Sequence, residues 1–189
     1  MSPEGGISDE LLDSQMRVEP ADTQAPEGFL AASLHDFATV TWEKFGVVIL
    51  RHHKDIAEIV SRTHRFRATD WAGLLALAKD LTRVTADSID AVEIHKLLSL
   101  PTKERPGSLK SLEKLLAKSI DPDMARTIMT PLVATYELRL ADAHLASDRI
   151  QESLTLAGLD LDAPTVFQGL QLINNCVASL CAIIDVFQS

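Results

Sequence analysis

Two residues near the C-terminal third of the chain have the types and spacing to do chemistry. Arg139 and His144 stand five positions apart in Tyr136-Glu-Leu-Arg-Leu-Ala-Asp-Ala-His-Leu145. A permanent guanidinium and a titratable imidazole are the groups that cleavage of RNA without a metal requires: one steadies charge on a phosphate, the other moves a proton. Asp142 is the polar residue between them and is placed to orient either. Glu137 reads as a solvated or charge-pairing residue. The spacing alone says little. With ten Arg and six His in 189 residues, roughly 0.3 such pairs arise by chance, and a motif is a hypothesis until its context supports it.

Other chemistry-bearing residues are fewer. Between Arg51 and Arg67 there are five Lys/Arg and two Asp/Glu, the one clearly basic window. It suits a phosphate-contacting surface with Phe66 free to stack, or equally a solvated helix end where cations offset the dipole. His52 and His53 are adjacent, so on a helix they point to different faces and make a poor metal pair. His95 sits alone on a mostly apolar stretch and reads as structural. Cys176 and Cys181 lie in an apolar run and read as buried thiols with no metal or redox pattern, which sets a reducing cytoplasm as the expected location. There is no Gly-rich phosphate loop, no metal-spaced His/Cys/Asp/Glu cluster and no Ser–His–acid arrangement at a recognisable turn.

The elements that must position these residues are helices. Leu, Ala and Ile dominate, aromatics are only 5%, and no alternating strand pattern of useful length occurs. Residues 1–28 carry seven acids against Arg17 alone, a net of −6, which leaves −3 of the total −9 for the other 161 residues. The low pI therefore belongs to this segment, while the body is close to neutral and neither demands nor excludes RNA. With Pro3, Gly5, Gly6, Pro20, Pro26 and Gly28, residues 1–28 read as a disordered acidic tail or linker, with room for a short helix over Asp9–Met16. No signal peptide is visible in it. The apolar run Val177–Phe187 contains Asp185 and is too short to span a bilayer.

Residues 29–189 form the expected helical domain. Near-helical spacing runs from Phe29 through Ile49 and on to Ser61, with Phe29, Trp42 and Val48 in the apolar stripe. Asp70 is the N-cap of a helix over Trp71–Val84, and Asp87 or Ser88 starts another through Leu98. Pro101–Gly107 is a polar loop, after which Ser108 caps a helix to Lys118. Asp121-Pro122 opens the next helix, and Pro131 predicts a kink or a fresh start. A short helix over Arg149–Ala157 is stopped by Gly158, and Asp162-Ala163-Pro164 opens a final helix to about Phe187. That helix is apolar nearly all round, so it must be central to a bundle or cover a dimer face. Asn174 and Asn175 in its middle need hydrogen-bond partners if buried and are candidates for setting helix register. The expected fold is all-α, a bundle of six to eight helices.

An Arg-x-x-x-x-His pair after a helix starting at Pro131, followed by a polar loop and an apolar closing helix, resembles the HEPN superfamily of small helical bundles. The motif here is Arg139-Leu140-Ala141-Asp142-Ala143-His144. The resemblance places a HEPN-like core in residues 108–189, covers 29–105 loosely, and extends to the C-terminal portion of larger bacterial anti-phage defence proteins of the ApeA type. It implies metal-independent endoribonuclease or RNA-binding activity, in defence or as a toxin. His144 would act as general acid or base on the ribose 2′-hydroxyl, and Arg139 would stabilise charge on the scissile phosphate. It also implies that two protomers pair so that both motifs line one cleft. The expected partners are then RNA and a second copy of the chain joined through the C-terminal helix, with no membrane, no metal and no cofactor. One departure stands out: active members often carry a polar residue, commonly Asn, Asp or His, directly after the Arg, and this chain has Leu140.

Geometry adds a condition. Five helical residues rotate by about 500°, leaving the two side chains roughly 140° apart. They would not face one substrate, so the helix is expected to end or loosen near Ala143, letting His144 swing round. Two rival readings share the same residues: a catalytically inactive interaction or dimerisation domain that regulates an upstream effector, and a small-ligand sensor in which Arg139 is the anion site.

Overall fold

The computed structural model describes residues 27–51, 55–144 and 147–189, with the side chains of 141–149 outside that description. The acidic segment before Glu27 and the His52/His53 pair therefore lie outside the described residues. Among the described residues there are eight α-helices, in chain order α1 Gly28–Phe45, α2 Ile56–Arg62, α3 Trp71–Val84, α4 Ala91–Leu97, α5 Ser108–Leu116, α6 Pro122–His144, α7 Ser147–Leu156 and α8 Thr165–Gln188. Single 3-10 turns occupy Arg65–Arg67 and Thr102–Glu104. The described residues contain no strand; an isolated antiparallel bridge joins Leu50 to Ile89. The all-α bundle expected from the sequence is the observed fold.

The core forms where α3, α6 and α8 pack on one another, with α1 laid along α8. Leu74, Leu77, Leu81, Leu138, Ile173 and Ile183 are completely buried there. Burying a side chain of this size stabilises by about 1.5–3 kcal/mol. α8 is long and apolar enough by composition to cross a bilayer. Its inward face, including Leu172, Cys176, Leu180 and Phe187, is buried against protein. Phe187 packs edge-on against Phe45, tying the C-terminus to the end of α1.

Local signals explain most helix ends. Asp70 accepts from the Gly73 amide at 2.7 Å, as its N-cap role requires. Asp121 does the same for Asp123 and Met124, with Pro122 as the first helical residue. Gly158, in the left-handed region at φ +74°, ends α7, and the Leu159 amide reaches back to the Leu154 carbonyl. α1 stops at Gly46, also left-handed at φ +70°.

Several expectations are corrected. α1 does not continue to Ser61, because Gly46 breaks it and Leu50 joins the bridge to Ile89. Within its apolar stripe, Phe29, Trp42 and Val48 are exposed; Ser33 and Thr41 take buried positions instead. The buried hydroxyl of Thr41 donates to the Ala38 carbonyl, so a polar residue is satisfied there. α4 is capped by Asp90, which accepts from Val92 and Glu93, and not by Asp87 or Ser88. Ser108 is the first residue of α5 and donates to the Ala86 carbonyl, leaving Gly107 at the cap. Pro131 makes no fresh start: α6 runs unbroken across it. One lost backbone hydrogen bond is outweighed by burial of Met129, Leu132, Ala134 and Leu138 on either side. Cys181 is exposed, unlike Cys176; its sulfur lies 3.6 Å from Ser33 Oγ at the edge of the α1–α8 contact.

Candidate functional site

Arg139 lies in the penultimate turn of α6, on a face left open to solvent. Its Nη1 donates to Asp87 Oδ2 at 2.5 Å, and about a third of each side chain is exposed, 32% and 39%. Asp87 sits in the turn between α3 and α4, fifty-two positions away in sequence. Once α4 takes Asp90 as its cap, Asp87 is left to face Arg139. The guanidinium carbon also stands 5.9 Å from the centre of the Tyr136 ring, within reach of a cation–π contact. Arg51 arrives at the same turn from the other side, its Nη2 donating to the backbone carbonyls of Asp87 and Ile89 at 2.9 and 3.4 Å. Two arginines thus meet at Asp87.

α6 ends at His144, one residue past Ala143, so its end falls about where it was expected, while the backbone stays helical up to that residue. On a continuous helix the two directions stay roughly 140° apart. Asp142 lies in the same final turn, and the side chains of Asp142 and His144 are outside the described residues. α7 begins at Ser147, so the helix-to-helix junction follows directly.

In the basic window Arg62, Arg65 and Arg67 reach two buried carboxylates, while Arg51 binds backbone carbonyls. Arg62 stands in the last turn of α2, as the helix-end reading expects. Asp80, only 3% exposed, accepts two bonds from Arg62 at 2.8 and 3.0 Å. Arg67 approaches it at 3.3 Å and Arg83 at 3.9 Å. Glu27 takes Arg65 in a two-pronged pair at 2.6 and 2.9 Å, which holds its carboxyl far down, at about 2 against an ordinary 4.5. Phe66 remains exposed and stacks on His64 at 5.1 Å. These cations lock the Arg65–Arg67 turn against α3 and the start of α1; much of their charge is compensated within the fold.

Asp80 and Glu27 were not singled out from the sequence. A signal for Asp80 was present: it stands three residues after Leu77 and four before Val84, on the inward register of an apolar helix. An acid there is almost never buried without a cation. Glu27 had no such signal, because it shares its composition with the acidic segment before it.

His95 is buried, its Nε2 within 2.9 Å of Ser111 Oγ and 3.1 Å of the Pro106 carbonyl, a structural role as expected. Cys176 is buried and its thiol is pushed up to about 11 by burial, which makes it unreactive. Among the described residues no three His, Cys, Asp or Glu side chains gather at metal-holding distances. No protein-family model matches the chain, and no curated protein or solved structure matches it either.

Proposed function

We propose that the chain is a HEPN-like module that acts on RNA, by binding or metal-independent cleavage, at the C-terminal end of α6, with a second protomer completing the site. The observation that carries this reading is the position of Arg139. Its guanidinium is held at the surface by Asp87 and Tyr136, in the last two turns of the helix that ends at His144. An oriented but accessible guanidinium is suited to a phosphate, which can compete with one surface carboxylate through two-pronged contacts. The continuous backbone supports a role for the second copy: positions five apart on one helix leave it roughly 140° apart, so an Arg139 and a His144 from different protomers would meet one phosphate more readily. Defence or toxin activity would follow from such cleavage.

The test is RNA degradation by the purified chain. Arg139→Ala and His144→Ala are each expected to lower the rate by about 100-fold or more, the usual worth of a charge-stabilising donor or a general acid–base. Unchanged degradation in both variants would sink the nuclease reading.

A second reading rests on the same ion pair. Asp87 neutralises Arg139, and Leu140 beside it is 40% exposed where a polar residue is expected. Both suit a catalytically inactive interaction or dimerisation domain that regulates an upstream effector. An RNA-inert chain that still forms a stable dimer would favour it.

A further inference from the structure

A second surface feature adjoins the Arg139 site through Arg51. α1, α2 and the segment leading to Leu50 enclose an open groove of about 360 Å³. Its walls are apolar: Leu34, Ala38, Val48, Leu50, Ile56 and Val60. Its polar lining residues are His35 and Arg51, with no carboxylate among them. Arg51 spends its described hydrogen bonds on two neutral carbonyls, so its charge is not cancelled by those bonds. An apolar trough with a cationic rim is suited to an acidic amphipathic segment.

The chain itself has such a segment. Ile7, Leu11, Leu12 and Met16 recur at helical spacing, with Asp9, Glu10 and Asp13 between them, and Glu19 and Asp22 follow. Residues 4–22 hold six acids against Arg17. The segment ends beside the groove: Glu27 is fastened to Arg65, α1 begins at Gly28, and Ala31 in its first turn is already a groove residue. From Gly28 to Ala38 the helix advances about 15 Å. The eight residues between Val18 and Glu27 can reach about 26 Å when extended. A tether of this length gives an effective concentration on the order of millimolar, so even a weak contact would be populated. We propose that residues 7–18 dock in the α1–α2 groove of their own chain, apolar face inward and acidic face toward Arg51. Arg51 shares the Asp87 turn with Arg139, so the docked segment would bring negative charge next to the candidate site.

Amide hydrogen exchange on the full chain tests this without reference to RNA. Residues 9–16 are expected to be protected by about tenfold or more over free-chain rates. Leu11→Asp with Leu12→Asp should abolish that protection, and so should Val48→Asp on the groove wall. Val48 is 43% exposed, so its replacement leaves the core intact, and a thermal melt checks that it does. Protection should also persist through about a hundredfold dilution, as an intramolecular contact must. Free-chain exchange in the unaltered protein overturns the proposal. Protection that survives Val48→Asp overturns the groove as its seat, and protection lost on dilution assigns the groove to a second copy instead.

Discussion

Asp80 shows how a charged residue can serve as a core residue. Its two oxygens satisfy Arg62, with Arg67 and Arg83 close by, so the carboxylate is buried with its charge matched. Replacing Asp80 leaves three arginines whose side chains are 32%, 36% and 44% exposed and can turn to water. Asp80→Ala is therefore expected to lower stability by about 1 kcal/mol in urea titration, with the slope unchanged. A loss of about 3 kcal/mol or more would mean that the arginines stay desolvated once the carboxylate is gone. Glu27 makes a prediction with a sign. Its carboxyl is held at about 2 in the folded chain against an ordinary 4.5. A depressed acid contributes stability in full above its unfolded value and loses it as pH falls toward the folded one. Glu27→Gln should thus destabilise by about 1–2 kcal/mol at pH 7, after allowing for solvent screening of a pair at the surface edge. The difference from the unaltered chain should shrink between pH 4.5 and pH 2 in matched thermal melts. A difference that is constant across that window would rule out the Arg65 pair as its source.

At the scale of elements, α8 holds its junction with α7 through Gln168, Gln171 and Asn175. Asn175 Nδ2 donates to the Ala157 and Gly158 carbonyls at 2.7 and 3.3 Å, filling acceptors that the helix end leaves open. Asn174, its neighbour, is exposed. Of the two asparagines, Asn175 is the one that bonds another element. Asn175→Leu should cost about 1 kcal/mol, since the half-buried Ala157 carbonyl loses its donor. Gly158→Ala should cost at least about 1 kcal/mol, since it combines a left-handed backbone with a Cβ 2.8 Å from Asn175 Nδ2. The pair should be less than additive because both act on the same contact. Helix existence was readable here because caps and breakers are local: Asp70, Asp121-Pro122 and Gly158 each act within a few residues. Which acid caps α4, and whether Pro131 breaks α6, were not readable. Both depend on tertiary partners, Arg139 for Asp87 and the buried neighbours of Pro131.

At the scale of the molecule, the all-α class follows from composition and from the uninterrupted apolar face of α8. The internal salt-bridge network does not, because Asp80 and the Arg62–Arg67 turn are joined only by folding. The candidate site is half readable for the same reason. Arg139 and His144 stand out by type and spacing, but Asp87 enters from another part of the chain. The unbroken backbone of α6 then sets the final expectation. If cleavage uses Arg139 of one protomer with His144 of the other, a mixed dimer of Arg139→Ala and His144→Ala chains holds one intact composite site out of two. Random exchange makes about half of the dimers mixed, so the mixture should recover about one quarter of the unaltered rate. Each variant alone would remain inactive. If both groups act within one protomer, every chain in the mixture lacks one of them and no activity returns. Subunit exchange followed by an RNA cleavage assay therefore separates a shared site from a self-contained one, and recovery in the mixture cannot arise from a catalytically silent scaffold.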